Sequence, residues 1–296
     1  MSVGRILEGA FGLIRERFAA VAVWTGIYLV GNLVILLATQ QALAAATDST
    51  VAGDPGAIGA LAPVYALNLV LALVGLVLYT AAMRAVLRPE AGRMAYLRLG
   101  MDELRQLALL ILFALIAVIL WTIMGFGFGL LSVGVAVGTQ SPLFSGLVMF
   151  VMGLLVLAVI VFLTIRFSLA FPLTLHRRQF VIGEAWTLSR GHFWTLFGAA
   201  FVISVIGLVL VLLVSSFALG SYFSDLMAAA GDPAATEVVA QAQMETAGQF
   251  SVMMVVQSIG GALVAGIWVA LSGGSIATAA RLLVDNEFED AEDIFG

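Results

Sequence analysis

Polar positions in this chain are confined to short stretches between six long apolar runs, at 18–46, 58–83, 104–137, 144–175, 193–223 and 250–280. Each run exceeds the ~20 residues that cross a bilayer as a helix, so each is read as a membrane-spanning helix. The longer ones are expected to tilt, kink or project beyond the hydrocarbon. Ahead of the first run the pattern changes to a helical period. Ile6, Leu7, Ala10, Phe11, Leu13, Ile14 and Phe18 share one broad apolar face, and Arg5, Glu8, Arg15 and Glu16 lie mainly off it. Such a helix is expected to lie in the membrane interface with its apolar side towards the acyl chains.

The pattern repeats. Before the first span stands Ala10-Phe11-Gly12-Leu13-Ile14-Arg15-Glu16-Arg17-Phe18, and before the fifth stands Ala185-Trp186-Thr187-Leu188-Ser189-Arg190-Gly191-His192-Phe193. Ala, an aromatic residue, Leu, Arg and Phe recur at the same offsets. Before the third span a similar stretch begins at Ala95-Tyr96 and ends one residue out of step at Leu104. The second, fourth and sixth spans close on Thr80 to Arg84, Thr164-Ile165-Arg166 and Thr278 to Arg281. The expected unit is an amphipathic leading helix, a span out and a span back, used three times. These are parallel repeats related by an axis along the membrane normal. The predicted fold class is therefore all-α, a polytopic bundle of six transmembrane helices in three hairpins, as one domain over 1–284. The segment 285–296, with six acidic residues, is expected to be a disordered tail.

Charge sets the expected orientation. All thirteen basic residues are Arg, and they fall in alternate inter-span segments. Arg5, Arg15 and Arg17 precede the first span. Arg84, Arg88, Arg93, Arg98 and Arg105 follow the second, Arg166, Arg177, Arg178 and Arg190 follow the fourth, and Arg281 follows the sixth. The other loops carry Asp48, Asp54, Asp225, Asp232, Glu237 and Glu245. The positive-inside rule places the Arg segments and both termini in the cytoplasm. A five- or seven-span reading would split the Arg set across both faces. Ala42-Leu43-Ala44 has the form of a cleavage site, but the preceding run is too long for a signal peptide, so an uncleaved first span is expected. A complete lack of Lys suits a GC-rich bacterial genome, and the expected location is the bacterial inner membrane.

Few polar groups lie within the spans. Asn32 and Asn68 stand at depths of ~21 and ~24 Å from the Arg-bearing ends, at ~1.5 Å per residue, so adjacent antiparallel spans are able to bring the two amides together. That pair is expected to be an interhelical hydrogen bond; the sharper alternative is a polar notch that contacts a solute. Arg166 is separated from His176-Arg177-Arg178 by the uncharged stretch from Phe167 to Leu175. Mid-bilayer charges are costly and usually pair or snorkel. By its match to Arg84 and Arg281, Arg166 is expected at the interface, with 167–175 running along or just beneath the membrane surface. Arg15, Arg84, Arg166, Arg190 and Arg281 are the candidate lipid-headgroup contacts, each worth about 1 kcal/mol near anionic lipid. Trp186 and Trp194 suit an aromatic belt. Gly125 with Gly129, and Gly134 with Gly138, have small-xxx-small spacing for close helix packing. Gly260-Gly261 and Gly273-Gly274 are expected to pack closely or to kink the sixth span.

Chemistry has little to work with. There is no Cys, hence no disulfide or thiolate site, and no Lys for a Schiff base or a phosphate loop. His176 and His192 have no carboxylate at metal-ligand spacing, and no H-E-x-x-H, G-x-S-x-G or paired intramembrane acids occur. No catalytic residue, metal or cofactor is expected, and with a net charge of −5 no nucleic-acid partner either.

The stretch from Arg166 to Pro172, followed by Glu184-Ala185-Trp186-Thr187-Leu188-Ser189-Arg190-Gly191-His192-Phe193-Trp194, is similar to the membrane domain found beside glycerophosphoryl diester phosphodiesterases and to related stand-alone six-span bacterial membrane proteins. The likeness covers about thirty residues; the rest agrees in hydropathy and hairpin layout. That family's catalytic residues belong to a separate soluble barrel, for which the spans and short loops here leave no room, so none carries over. The resemblance implies a non-catalytic integral membrane module, a scaffold or accessory protein for lipid or envelope processes, with membrane lipids and other membrane proteins as partners. The alternative is a transporter or channel for a small or lipid-like solute.

Overall fold

Within hydrocarbon a backbone satisfies its own polar groups as a helix, and the apolar runs do so here. In the computed structural model, residues 1–47, 59, 61–139, 142–230, 232, 234–239, 242 and 251–295 are described. They form α1 (Val3–Glu16), α2 (Phe18–Thr47), α3 (Ala62–Leu87), α4 (Met101–Thr139), α5 (Pro142–Ser168), α6 (Ala170–Arg177), α7 (Ile182–Ser189), α8 (Phe193–Ala228) and α9 (Val252–Phe295). Among the described residues there is no strand, and six helices are long and apolar enough to cross a membrane. The chain is an all-α, multi-pass membrane protein.

Local chemistry explains most boundaries. Pro142 opens α5, where its missing N–H is no loss. At the start of α4, Glu103 Oε2 accepts the Gly100 backbone N–H at 3.0 Å, closing the first turn. The fourth apolar run is divided at Leu169: Pro172 has no N–H for the Ser168 carbonyl, and its ring would crowd that group in a continuous helix. The segment beyond becomes α6. Ala170, Pro172, Leu173, Thr174 and Leu175 of this stretch are buried in protein, so it presents little of its own surface to lipid. At the far end, α9 continues through the acidic segment to Phe295. The expected disordered tail is helical there; no Pro or Gly interrupts it before Gly296.

The chain divides into two compact units. One comprises Met1–Ile6, Arg98–Ala200 and Ile276–Gly296; the other comprises Leu7–Leu97 and Phe201–Ser275. In the first, α4 packs on α5 and α6, and α7 packs on α5 and α6. Its core holds Ile6, Ile165, Leu169, Leu173, Ala185, Leu196, Ala280 and Leu283. In the second, α2 pairs with α3 along the first hairpin. Leu13, Val21, Trp24, Leu78, Ala82, Tyr96 and Val269 form its core, with a smaller cluster of Ala10, Ile203 and Leu271.

The leading elements are not three copies of one thing. The apolar side of α1 is turned into protein at Ile6, Ala10 and Leu13, while Phe11 and Phe18 stay exposed. The element before α8 is the short helix α7. The element before α4 is a pair of tight turns, Pro89–Ala91 and Arg93–Tyr96, not an amphipathic α-helix.

Glycines decide where helices approach. A Cβ on Gly273 of α9 would stand 2.8 Å from the Ala82 Cβ and 3.3 Å from the Tyr79 carbonyl of α3. Gly260 and Gly274 likewise meet Val214 and Leu13, so these glycines of the sixth span serve close packing. In the third span an added Cβ at Gly125, Gly129 or Gly134 meets nothing within 4 Å among the described residues, and Gly138 lies outside the residues whose surroundings are described. On the opposite loop, residues 231 and 233 also lie outside; Asp232 Oδ1 accepts the Ala234 N–H at 3.0 Å and opens a helical stretch over 234–239.

Candidate functional site

Two arginine centres, one buried and one half-buried, organise polar structure, one in each unit. The first is built on the turn after α3. Met94, Ala95 and Tyr96 have φ of 52°, 54° and 63°, three successive non-glycine residues in the left-handed region. That conformation costs ~1–2 kcal/mol per residue for an L side chain, so other contacts must hold it. Two buried donors do. Trp24 Nε1 donates to the Ala95 carbonyl at 3.0 Å. Arg84 Nη1 donates to the Tyr96 carbonyl at 2.6 Å. The Tyr96 hydroxyl in turn donates to the Pro89 carbonyl at 3.1 Å, and the Arg17 guanidinium lies 5.8 Å from the Tyr96 ring centre. Arg84 is 2% exposed, so this predicted headgroup contact is a structural clamp inside the protein, closed off from lipid.

The second centre is Arg166 at the end of α5. Its guanidinium carbon lies 5.3 Å from the Phe162 ring centre and 5.0 Å from that of Trp186. Nη1 donates to the Trp186 carbonyl and the Ser189 hydroxyl, both at 3.4 Å. Phe167, Phe193, Trp194 and Phe197 extend the aromatic cluster. Arg166 is half-buried, and among the described residues no carboxylate lies within ion-pair reach of it. A cation held by ring faces and two long hydrogen bonds retains much of its demand for an anion.

The remaining candidates are scattered. Arg15 and Arg190 are exposed. Arg281 is exposed and faces Asp285 one turn on, at 3.8 Å. Asn32 and Asn68 are not brought together. Asn68 is exposed, and its Nδ2 donates to the Val64 carbonyl of its own helix at 2.8 Å. Asn32 faces α9, where its Nδ2 lies 3.6 Å from the place a Gly261 Cβ would take. It belongs to a row on α2. A Cβ on Gly266 would overlap the Thr25 hydroxyl, and Gln40 Nε2 donates to the Met254 sulfur at 3.3 Å. Thr25, Asn32 and Gln40 recur at seven- and eight-residue intervals, two turns of helix, so one polar face of α2 lies along glycines of α9. That spacing was the available signal, and pairing the two asparagines by depth alone missed it. Also unforeseen is Gln106, fully buried, whose Nε2 donates to the Phe171 carbonyl at 2.8 Å and ties α4 to α6. Arg177 pairs with Glu184 between α6 and α7. Among the described residues no group of three or more His, Cys, Asp or Glu is placed to hold a metal.

Fold and centres together define a multi-pass membrane protein in which a buried Arg84 holds backbone and a half-buried Arg166 sits between aromatic rings. Comparison with protein-family models, with curated proteins and with solved structures gives no match.

Proposed function

We propose that this chain is a non-catalytic integral membrane module of a bacterial inner membrane, a scaffold or accessory protein for lipid or envelope processes, with both termini cytoplasmic. The observation that carries the reading is where the spans' polar side chains direct their hydrogen bonds. Thr39, Asn68, Thr122 and Ser258 each bond a carbonyl one turn back on their own helix. They brace helices and do not converge on a cavity, whereas transporters gather polar groups and broken helices near the midplane. The placement of every Arg on alternate segments supports the orientation. The similarity of 166–194 to the phosphodiesterase-associated membrane domain supports the lipid connection.

Crosslinking in cells followed by co-purification tests this. A stable protein partner recovered with the wild-type chain is the expected result. Solute flux through the purified chain in liposomes, with no partner found, would replace it with the second reading, a transporter or channel for a small or lipid-like solute. The row Thr25–Asn32–Gln40 favours that reading. Under it, Asn32→Leu abolishes flux while leaving expression intact.

A further inference from the structure

Between α5 and the start of α8 lies an open, apolar hollow of about 590 Å³, lined by Leu154, Leu157, Ala158, Phe162, Phe193 and Phe197, with Trp194 at its rim. From Leu154 to Phe162 the wall runs ~12 Å along α5, and Arg166 stands one turn, ~6 Å, beyond Phe162. Hydrocarbon wall and cation therefore follow each other along a single helix. Phe162 joins them: it lines the hollow and supports the guanidinium at 5.3 Å. Trp194 is 77% exposed, and an indole at this position suits the headgroup level of a bilayer. Arg190 is exposed three residues before the helix whose first turn lines the hollow.

We propose that this hollow is a resident site for one anionic phospholipid, with an acyl chain against α5 and α8 and the phosphate beside Arg166. This deepens the lipid-module reading and rests on it for the membrane setting. Three observations select the occupant. The lining is hydrocarbon, which only a chain or another apolar surface would fill. The cation at its end has no carboxylate partner among the described residues. Its hydrogen bonds to protein, at 3.4 Å, are long for a charged donor, whose usual reach to an anion is about 2.7–2.9 Å. A phosphodiester supplies the missing charge at the surface and two chains beneath it. A zwitterionic lipid carries the same phosphate with its own compensating cation and satisfies the site less well.

The test is native mass spectrometry of the full chain, purified in mild detergent and incubated with equal amounts of dioleoyl phosphatidylglycerol and dioleoyl phosphatidylcholine. The expected result is one retained lipid per chain, phosphatidylglycerol preferred about tenfold, equivalent to ~1.4 kcal/mol. Ala158→Trp, which fills the hollow from a lipid-facing position, lowers retention of either lipid about tenfold. Arg166→Gln leaves a lipid bound and erases the preference; Arg166→Lys retains it. Excess glycerophosphate, the headgroup without chains, does not displace the lipid. Equal adducts in wild type and Ala158→Trp, equal retention of both lipids by the wild type, or displacement by glycerophosphate would each overturn the site. Should Arg166→Gln fail to insert, Ala158→Trp and the wild-type preference still decide. Partner recovery is scored in the same preparations. Partner present with no lipid preference refutes this site alone, and lipid preference with flux but no partner refutes the module reading alone.

Discussion

Arg84 and Arg166 close successive hairpins at corresponding places in the repeat, yet the two units use them in opposite ways. Arg84 is sealed in its unit and donates at 2.6 Å to a carbonyl of a left-handed turn. Arg166 is half-buried between two rings, and its hydrogen bonds among the described residues are 3.4 Å long. The first charge is consumed by the fold; the second is left with capacity for an outside partner. A repeat in sequence therefore conserves where a cation is placed along the chain, and the neighbouring segment decides what it does. After α3 the chain makes a tight strained turn that places a carbonyl under the guanidinium. After α5 it makes the short helices α6 and α7, which bring aromatic rings instead.

The contrast breaks most sharply at Arg84. Arg84→Ala leaves the Tyr96 carbonyl without its charged donor and releases three left-handed residues. A loss of about 3 kcal/mol is expected, the upper range for a hydrogen bond to a charged group, read as a lowered unfolding midpoint in detergent. If Arg84→Ala unfolds no earlier than Arg166→Gln, the division between a structural and an available arginine is wrong. Gly273→Ala acts on the same turn of α3. The added methyl meets the Ala82 Cβ and the Tyr79 carbonyl, and the backbone partner is unable to yield. Overpacking of this kind costs about 2 kcal/mol; the same substitution at Gly129, where an added Cβ meets nothing within 4 Å among the described residues, should not lower the midpoint and adds at most ~1 kcal/mol of stability through helix propensity.

How much of this was readable beforehand follows from the range of each interaction. Helix positions are written in contiguous residues, so the spans, the amphipathic α1 and the break near Pro172 are legible. The close-packing glycines at 260 and 273 are legible as small residues. Which helix they meet is not, and the same logic gave Gly125 and Gly129 a neighbour that the described residues do not supply. Asn32 and Asn68 share a depth, but depth does not say which face of α2 looks at α3 and which at α9. The strained turn was invisible for a local reason: Met94-Ala95-Tyr96 contains no Gly, Asn or Asp to announce positive φ. Its cause lies in Trp24, 71 residues away in the chain. For the same reason Arg84 reads as an interfacial cation, since nothing near it in sequence reveals the carbonyl it serves.

Smaller changes sharpen the comparison further. Trp24→Phe removes the donor to the Ala95 carbonyl and shrinks a fully buried ring, and should cost about 2 kcal/mol, the lost hydrogen bond plus the void left behind. Its partner effect is diagnostic. With Arg84→Ala in the same chain, the combined loss should fall short of the sum, because both donors hold one turn and residues in one network couple. Strict additivity would mean that the two bonds restrain the backbone independently. Arg166→Gln should cost ~0.5–1 kcal/mol, the usual worth of a cation over an aromatic face, with lipid retention changing far more than the unfolding midpoint.

Arg281 supplies the third term of the comparison. It closes the last hairpin in the same repeat position, yet it is 61% exposed and meets Asp285 at 3.8 Å across one helical turn. Among the described residues neither a buried carbonyl nor a ring holds it, and an exposed pair of this spacing contributes about 0.3–0.5 kcal/mol before screening by salt. Arg281→Gln should therefore lower the unfolding midpoint less than Arg84→Ala, Gly273→Ala, Trp24→Phe or Arg166→Gln, and the small shift should vanish as ionic strength rises. A loss comparable to that of Arg84→Ala would show that position in the repeat, and not the local environment, determines what these arginines contribute.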